Sequence, residues 1–288
     1  MSPGASELVV TILGCGSSGG VPRVGQGWGR CDPSNPRNRR RRCSILVQKF
    51  APPAGGGVGR FSGPDSSDNA GPTTVLVDMS PDLREQLIDA QCEDLDAILL
   101  THSHADHTHG IDDVRPLVIK HRKRIQARMD AYTSELMQTR FGYIFRTPPG
   151  SQYPPLLDLV EIAHGAISDV AGAGGVIEAM PFRLNHGDIE ALGVRFGSLA
   201  YTPDVVDIPD ESIRFLEDLD VWIIDALRYR PHPSHFNLEQ ALDWIKRMKP
   251  KRAVLTNLHT DLDFEQVKSE LPEGVEPAYD GMRIHIRI

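Results

Sequence analysis

The sequence predicts an α/β protein in which β-sheets pack on one another and helices cover them. Three observations predict it. Short β-branched runs recur along the chain, segments of helical periodicity lie between them, and the strands outnumber what a simple β-α-β alternation needs. With 288 residues, 40% of them apolar, the chain is long enough to bury a core without disulfide staples.

The elements follow in chain order. Glu7 to Leu13 reads as a strand and runs into the turn Gly14-Cys15-Gly16-Ser17-Ser18-Gly19-Gly20. Ser44 to Phe50 and Thr73 to Asp78 read as two more strands. Residues 51–72 between them are rich in Gly, Pro, Ser and Asp and cannot bury apolar area, so they are expected to form a flexible hairpin insertion. Pro81 to Gln91 reads as a helix, with Pro at its start and Leu83, Leu87 and Ile88 at helical spacing. Asp96 to Thr101 is a buried strand. Helices are expected over Ile111 to Arg122, interrupted near Pro116, and over Thr133 to Phe141. Val176 to Leu184, Val194 to Tyr201, Val221 to Ile224 and Arg252 to Thr256 read as strands. Asn237 caps a helix that runs to Met248 and carries Leu238, Ala241, Leu242 and Ile245 on one face. Met282 to Ile288 alternates, with Ile284, Ile286 and Ile288 on one face. No linker divides the chain, so one domain over residues 1–288 is expected.

Bulk properties narrow the function. A formal charge of −8 argues against broad binding of long nucleic acid, which needs many phosphate-neutralising cations. Cys15, Cys31, Cys43 and Cys92 are unevenly spaced and form no CxxC pair, which fits a reducing compartment. Met1 to Leu13 lacks the pattern of a signal peptide, and no apolar run is long enough to span a membrane. A cytoplasmic protein is expected.

The densest chemistry lies in His102-Ser103-His104-Ala105-Asp106-His107. Four potential ligands within six residues follow directly on an apolar strand, where a loop can turn them toward one point. Imidazole and carboxylate suit zinc, manganese or iron. The alternative is a structural or surface histidine cluster.

His-x-His-x-Asp-His after a strand resembles the metallo-β-lactamase-fold hydrolases, and the later residues complete the pattern. His186 follows Phe182-Arg183-Leu184-Asn185, Asp204 closes Leu199-Ala200-Tyr201-Thr202-Pro203, and His259 follows Val254-Leu255-Thr256-Asn257-Leu258. The resemblance implies a four-layer αβ/βα sandwich of two mixed β-sheets flanked by helices. It implies two divalent ions, zinc or manganese. His102, His104 and His186 would hold one, Asp106, His107 and His259 the other, and Asp204 would bridge them, so that a shared water is ionised near neutral pH.

A narrower resemblance rests on Leu13-Gly14-Cys15-Gly16-Ser17-Ser18-Gly19-Gly20-Val21-Pro22, Asn38-Arg39-Arg40-Arg41-Arg42-Cys43-Ser44, Val77-Asp78-Met79-Ser80-Pro81-Asp82 and Tyr201-Thr202-Pro203-Asp204. These stretches are similar to the phosphoribosyl 1,2-cyclic phosphate phosphodiesterase branch, which implies a small phosphodiester substrate and a homodimer. Some members hold a structural zinc in a cysteine cluster after the Gly-rich turn. Here Cys31 stands alone, and no such zinc is expected.

By the same resemblance His235 is the general acid or phosphate contact, ahead of His232, and Asp106 is the other catalytic candidate. Asp78 and Asp225 end strands and either orient ligand imidazoles or serve as turn residues. Arg39 to Arg42 either clamps a phosphate or is a solvated charge run. Rival readings are a tRNA 3′-end endonuclease of the same fold, a thioester hydrolase, and a non-catalytic metal- or nucleotide-binding protein.

Overall fold

The computed structural model describes residues 7–51 and 71–288. The expected insertion at 51–72 therefore lies, over 52–70, outside the described residues.

Continuous apolar runs become strands buried on both faces. β1 (Glu7–Gly14) is buried from Leu8 onward because it sits inside a seven-stranded sheet. The other strands of this first sheet are β2 (Ser44–Phe50), β3 (Thr73–Val77), β4 (Ala97–Leu99), β5 (Ile125–Met129) and β6 (Leu157–Glu161). A second seven-stranded sheet holds β7 (Ser168–Gly172), β8 (Gly175–His186), β9 (Ile189–Phe196), β10 (Leu199–Thr202), β11 (Val221–Asp225), β12 (Arg252–Thr256) and β13 (Val275–Pro277). β14 (Arg283–Arg287) returns to the first sheet, antiparallel to β1. In each sheet one half is antiparallel and the other parallel. β3 to β6 run parallel in the first sheet, and β10 to β13 in the second.

The layers follow from where the apolar side chains go. Val10, Ile12, Val75, Val77 and Leu99 of the first sheet meet Val194, Phe196, Tyr201, Ile223 and Val254 of the second in one buried cluster. The outer face of the first sheet is covered by α1 (Leu83–Asp89), α3 (Arg115–His121) and α4 (Ala131–Phe145). A one-turn helix, α2 (Ala105–Thr108), precedes α3. The outer face of the second sheet is covered by α6 (Leu238–Met248) and α7 (Phe264–Glu270), with the short α5 (Asp210–Ile213) nearby. The molecule is the expected sandwich of two mixed sheets between helical layers.

Several boundaries differ from the sequence reading. Val194 to Tyr201 is two antiparallel strands, because Gly197 takes a φ of 58° and turns the chain between β9 and β10. β5, β6 and α7 were not expected from the sequence, although β5 alternates buried and outward residues and α7 buries Phe264 and Val267 at helical spacing. The helix at 81–91 starts after Asp82 rather than at Pro81, and Ile88 faces solvent at 55% exposure. Ile288 also falls outside the buried stripe that holds Ile284 and Ile286. Asn237 caps α6 as expected, through a reciprocal pair with Gln240.

Candidate active site

Strand ends deliver the chemistry, since those of the parallel strands lie on one edge of the sandwich and the end of the antiparallel β8 joins them. Asp78 follows β3, Thr101 and His102 follow β4, and His186 ends β8. Asp204 follows β10, Asp225 ends β11, and Asn257 and His259 follow β12. Asp78 and Asn257 both take left-handed backbone conformations, with φ of 66° and 62°. A carboxylate or amide side chain tolerates this conformation better than a branched one, and such strain collects at functional sites.

Hydrogen bonds fix how the imidazoles face. The Thr101 hydroxyl donates to Asp78 Oδ2 at 2.9 Å, so its oxygen is left to accept from His102 Nδ1 at 3.0 Å. His107 Nδ1 donates to Asp78 Oδ2 at 2.8 Å, and His186 Nδ1 donates to the Ser234 carbonyl at 2.7 Å. Three rings thus spend their Nδ1 protons on oxygen acceptors and turn Nε2 inward, as metal-binding histidines do. Asp204 is held by Asn257, whose amide nitrogen donates to Asp204 Oδ1 at 3.2 Å and to the Pro203 carbonyl at 3.0 Å.

Donor atoms of His102, His104 and His186 lie within 4.8 Å of one another, as do those of His102, His107 and Asp204, and those of His186, Asp204 and His235. Asp204 Oδ2 lies 3.0 Å from His107 Nε2, and Asp106 Oδ2 lies 3.5 Å from the same nitrogen. His102 Nε2 is buried with no hydrogen-bond partner among the described residues, and Asp204 Oδ2 is buried with the His107 ring beside it. Leaving such atoms bare is costly, and a cation among them removes the cost. Burial, the largest influence on each, holds His102, His104 and His186 below the ordinary imidazole value and so in the neutral form that ligates. Burial also opposes protonation of His107, but Asp204, Asp78 and Asp106 outweigh it and raise its pKa well above the ordinary value. The donor set fits divalent cations in charge and in ligand type.

The seven expected ligands are not equally close. His102, His104, His107, His186 and Asp204 converge, and Asp106 joins at the rim through His107. His259 is set apart. Its Nε2 meets the Arg23 guanidinium and its Nδ1 lies 3.2 Å from Asp261 Oδ1.

His235 sits beside this cluster. Its Nδ1 donates to Asp225 Oδ2 at 2.8 Å and lies 3.8 Å from Asp204 Oδ1. Burial pulls its pKa down, but the carboxylates of Asp225 and Asp204 outweigh burial and raise it to about 9. His232 lies next to it and is the less basic ring, lowered to about 4 by burial and by the charges of His235 and Arg228.

Two cavities open on the cluster. One, of about 110 Å³, is lined by Ser17, Ser18, Arg23, Arg228, His232, His235 and His259, with Leu227 at its wall. The other, of about 450 Å³, is bounded by Ser18, Arg23, Val24, Arg42 and Asp106. The Gly-rich turn thus runs beside the site. The arginine run is neither a free clamp nor a solvated run. Arg40 is buried and bonded to the His259 carbonyl and to Asn38, Arg41 pairs with Asp89 and Asp280, and Arg42 with Asp82. Arg39 alone of the four is exposed. Arg23, Thr101 and Asn257 were missed in the sequence, where nothing in residue type or spacing marks them.

The sequence model of the β-lactamase superfamily domain matches residues 73–257, the span that carries six of the seven expected ligands. The chain belongs to that superfamily. Its fold is the metallo-β-lactamase fold, and it is a metal-dependent hydrolase. The structure of a diphosphatase from the PhnP family shares 31% identity with this superfamily member and superposes with a TM-score of 0.80, over 98% of each chain. The short form of human tRNase Z superposes at a TM-score of 0.60 with 17% identity, over 97% of this chain and 100% of that one, a likeness of fold. An octanoyltransferase of Porphyromonas gingivalis is 34% identical over 276 residues, 94% of this chain, and the chain spans 50% of that relative's length. No helix among the described residues is long and apolar enough to cross a membrane.

Proposed function

We propose that the chain is a dinuclear metal-dependent phosphodiesterase acting on a small phosphodiester, a phosphoribosyl cyclic phosphate or a cyclic nucleotide. The observation that carries this reading is the buried, unpartnered His102 Nε2 beside the buried Asp204 carboxylate, set among imidazoles whose Nδ1 protons are already spent. The likeness to a PhnP-family diphosphatase along nearly the whole chain supports phosphorus as the atom attacked.

In this reading His102, His104 and His186 would hold one ion, Asp106, His107 and His259 the other, and Asp204 would lie between them. Zinc or manganese bound there would lower the pKa of a shared water and offset charge on the phosphoryl oxygens. The chain's own residues do the rest. Asp78 fixes the His107 ring, and Thr101 fixes His102. Asn257 holds Asp204 in place. Asp106, at the rim, faces the wider cavity through which substrate and water arrive. Cleavage of a phosphodiester leaves an alkoxide, and His235 is the group that protonates it. Its Nδ1 proton is committed to Asp225, so the proton it gives is on Nε2, and Asp225 keeps that ring oriented.

The test is activity after reconstitution with zinc or manganese, on a panel of bis(p-nitrophenyl) phosphate, a lactam, a glutathione thioester and an octanoyl thioester. The phosphodiester should be turned over, and Asp204→Ala should lose both metal and activity, by at least ~100-fold. Undiminished activity of a metal-free Asp204→Ala protein contradicts the proposal. Turnover of the thioesters alone would favour the thioester reading and the acyl chemistry named for the Porphyromonas relative. Inactivity on every substrate with metals loaded would favour a binding protein.

A further inference from the structure

Four of the converging side chains are imidazoles, and three of them are anchored through the ring. Thr101, Asp78 and the Ser234 carbonyl hold His102, His107 and His186. His104 has no such anchor. Its Nδ1 faces His186 Nε2 at 3.2 Å, and its ring bonds to no oxygen among the described residues. It is also the exposed one of the four, so little packing holds it.

His104 is held instead through the peptides on its two sides. Its carbonyl accepts from the Thr108 hydroxyl at 2.8 Å and from the His107 amide at 3.1 Å, which fixes the peptide after it. The peptide before it is fixed from outside the segment. Arg140 Nη1 donates to the Ser103 carbonyl at 2.5 Å. That carbonyl lies in the same plane as the His104 nitrogen, so its direction helps to set where the His104 side chain leaves the backbone.

Arg140 reaches this carbonyl from α4, one residue before the helix kinks. The backbone leaves helical geometry at Phe141, with φ of −129° and ψ of 36°. The kinked end is pinned to the chain that follows the ligands. The Phe141 ring meets His109 edge-on at 5.3 Å between centroids, and the Tyr143 hydroxyl donates to Asp112. Ser103 is the one hydrogen-bond partner of the Arg140 side chain among the described residues. A bond from a guanidinium is roughly twice as strong as a neutral one, and here it acts on the turn between two ligands.

We propose that Arg140 is a positioning residue for the metal centre, holding the Ser103–His104 peptide so that the His104 ring meets His102 and His186 around one ion. It does for His104 what Thr101, Asp78 and Ser234 do for the other rings, with the backbone as its handle. The inference rests on the metal-centre reading and is independent of which ester is cut. It brings the outer helical layer into a site otherwise built from strand ends.

The test is the zinc affinity of the full chain, measured by competition with a chromophoric chelator. Arg140→Met should weaken one bound ion by about 10–100-fold, the range ordinary for a group that orients a ligand. Arg140→Lys keeps a cationic donor and should restore most of the loss. Arg140 is exposed, so neither substitution opens the core. In a His104→Ala background the ring is gone, and adding Arg140→Met should weaken zinc binding no further. Tyr143→Phe frees the same end of α4 without touching Ser103, and should bind zinc as the native protein does. Native affinity in Arg140→Met overturns the proposal. So does a loss of the same size with and without His104, or an equal loss in Tyr143→Phe, since either would make Arg140 a general support of the fold. A native chain that binds no zinc removes the metal centre itself, and this role with it.

Discussion

Asp78 Oδ2 accepts from both His107 and Thr101, and one carboxylate thereby sets two of the imidazoles. At this scale the sequence singled out residues whose type alone carries ligand chemistry, and the structure brings His102, His104, His107, His186 and Asp204 together. The sequence reading did not reach Thr101 or Asn257, whose roles come from neighbours supplied by other strands. His235 gives the sharpest prediction for a single residue. If it protonates the leaving oxygen, His235→Asn should slow cleavage of an alkyl diester by about 10²–10⁴-fold. A p-nitrophenyl diester, whose leaving group needs no proton, should be slowed far less. Equal losses on both substrates would remove the acid role. The pH profile has a definite sign as well. A general acid must carry its proton, so activity should fall on the alkaline side as His235 deprotonates, with a midpoint at or below about 9. Cations bound at Asp204 would move that midpoint downward by offsetting the carboxylate charge.

Among the elements, the N-terminal loop between β1 and β2 has the largest consequence for the site. It clasps the segment that carries His259. Arg30 donates its amide to the Thr260 carbonyl, Cys31 Sγ lies 3.5 Å from the Thr260 and Leu262 carbonyls, and Asn38 joins Asp263 to the Phe264 amide. Gly29 lies so close that a Cβ there would stand 2.5 Å from the Thr260 carbonyl oxygen. Buried Arg40 ties the clasp together through the His259 carbonyl, Asn38 Oδ1 and Cys31 Sγ. Arg40→Met should cost about 2–4 kcal/mol in denaturant unfolding, because it strands buried acceptors. It should also lower the amount of the more weakly held metal, which a merely stabilising role elsewhere would leave alone. The neighbouring Arg41 faces Asp280, whose carboxyl is raised to about 6 by burial, against the lowering effect of Arg41. A carboxyl raised in the folded state binds its proton more tightly there than in the unfolded chain. Its contribution to stability is therefore largest at acid pH and is lost as pH rises through about 6. Asp280→Asn cannot titrate, so the native protein should lose stability relative to that variant between pH 5 and pH 8, both about one to two pH units from the midpoint. A difference that does not change with pH would contradict this assignment.

Across the whole molecule, two half-parallel sheets bring the ends of β3, β4, β10, β11 and β12 to one edge. That convergence was legible in outline, because most apolar runs stop just before a ligand-type residue. The split between β9 and β10 was not, since apolar residues stand on both sides of Gly197-Ser198 and only the backbone of Gly197 makes the turn. The strands β5 and β6 were also not read, β5 because its regular alternation spans only five residues and β6 because it lies at the sheet edge, where its middle residues are only half-buried. Two ions at one convergent centre are the claim on which the mechanism depends. It is tested most directly by counting metal per chain in the purified, reconstituted protein by mass spectrometry, beside His259→Ala. The account predicts two equivalents in the native protein and about one in His259→Ala, with the His102, His104 and His186 ion retained. One equivalent or none in the native protein, or two in His259→Ala, would contradict it.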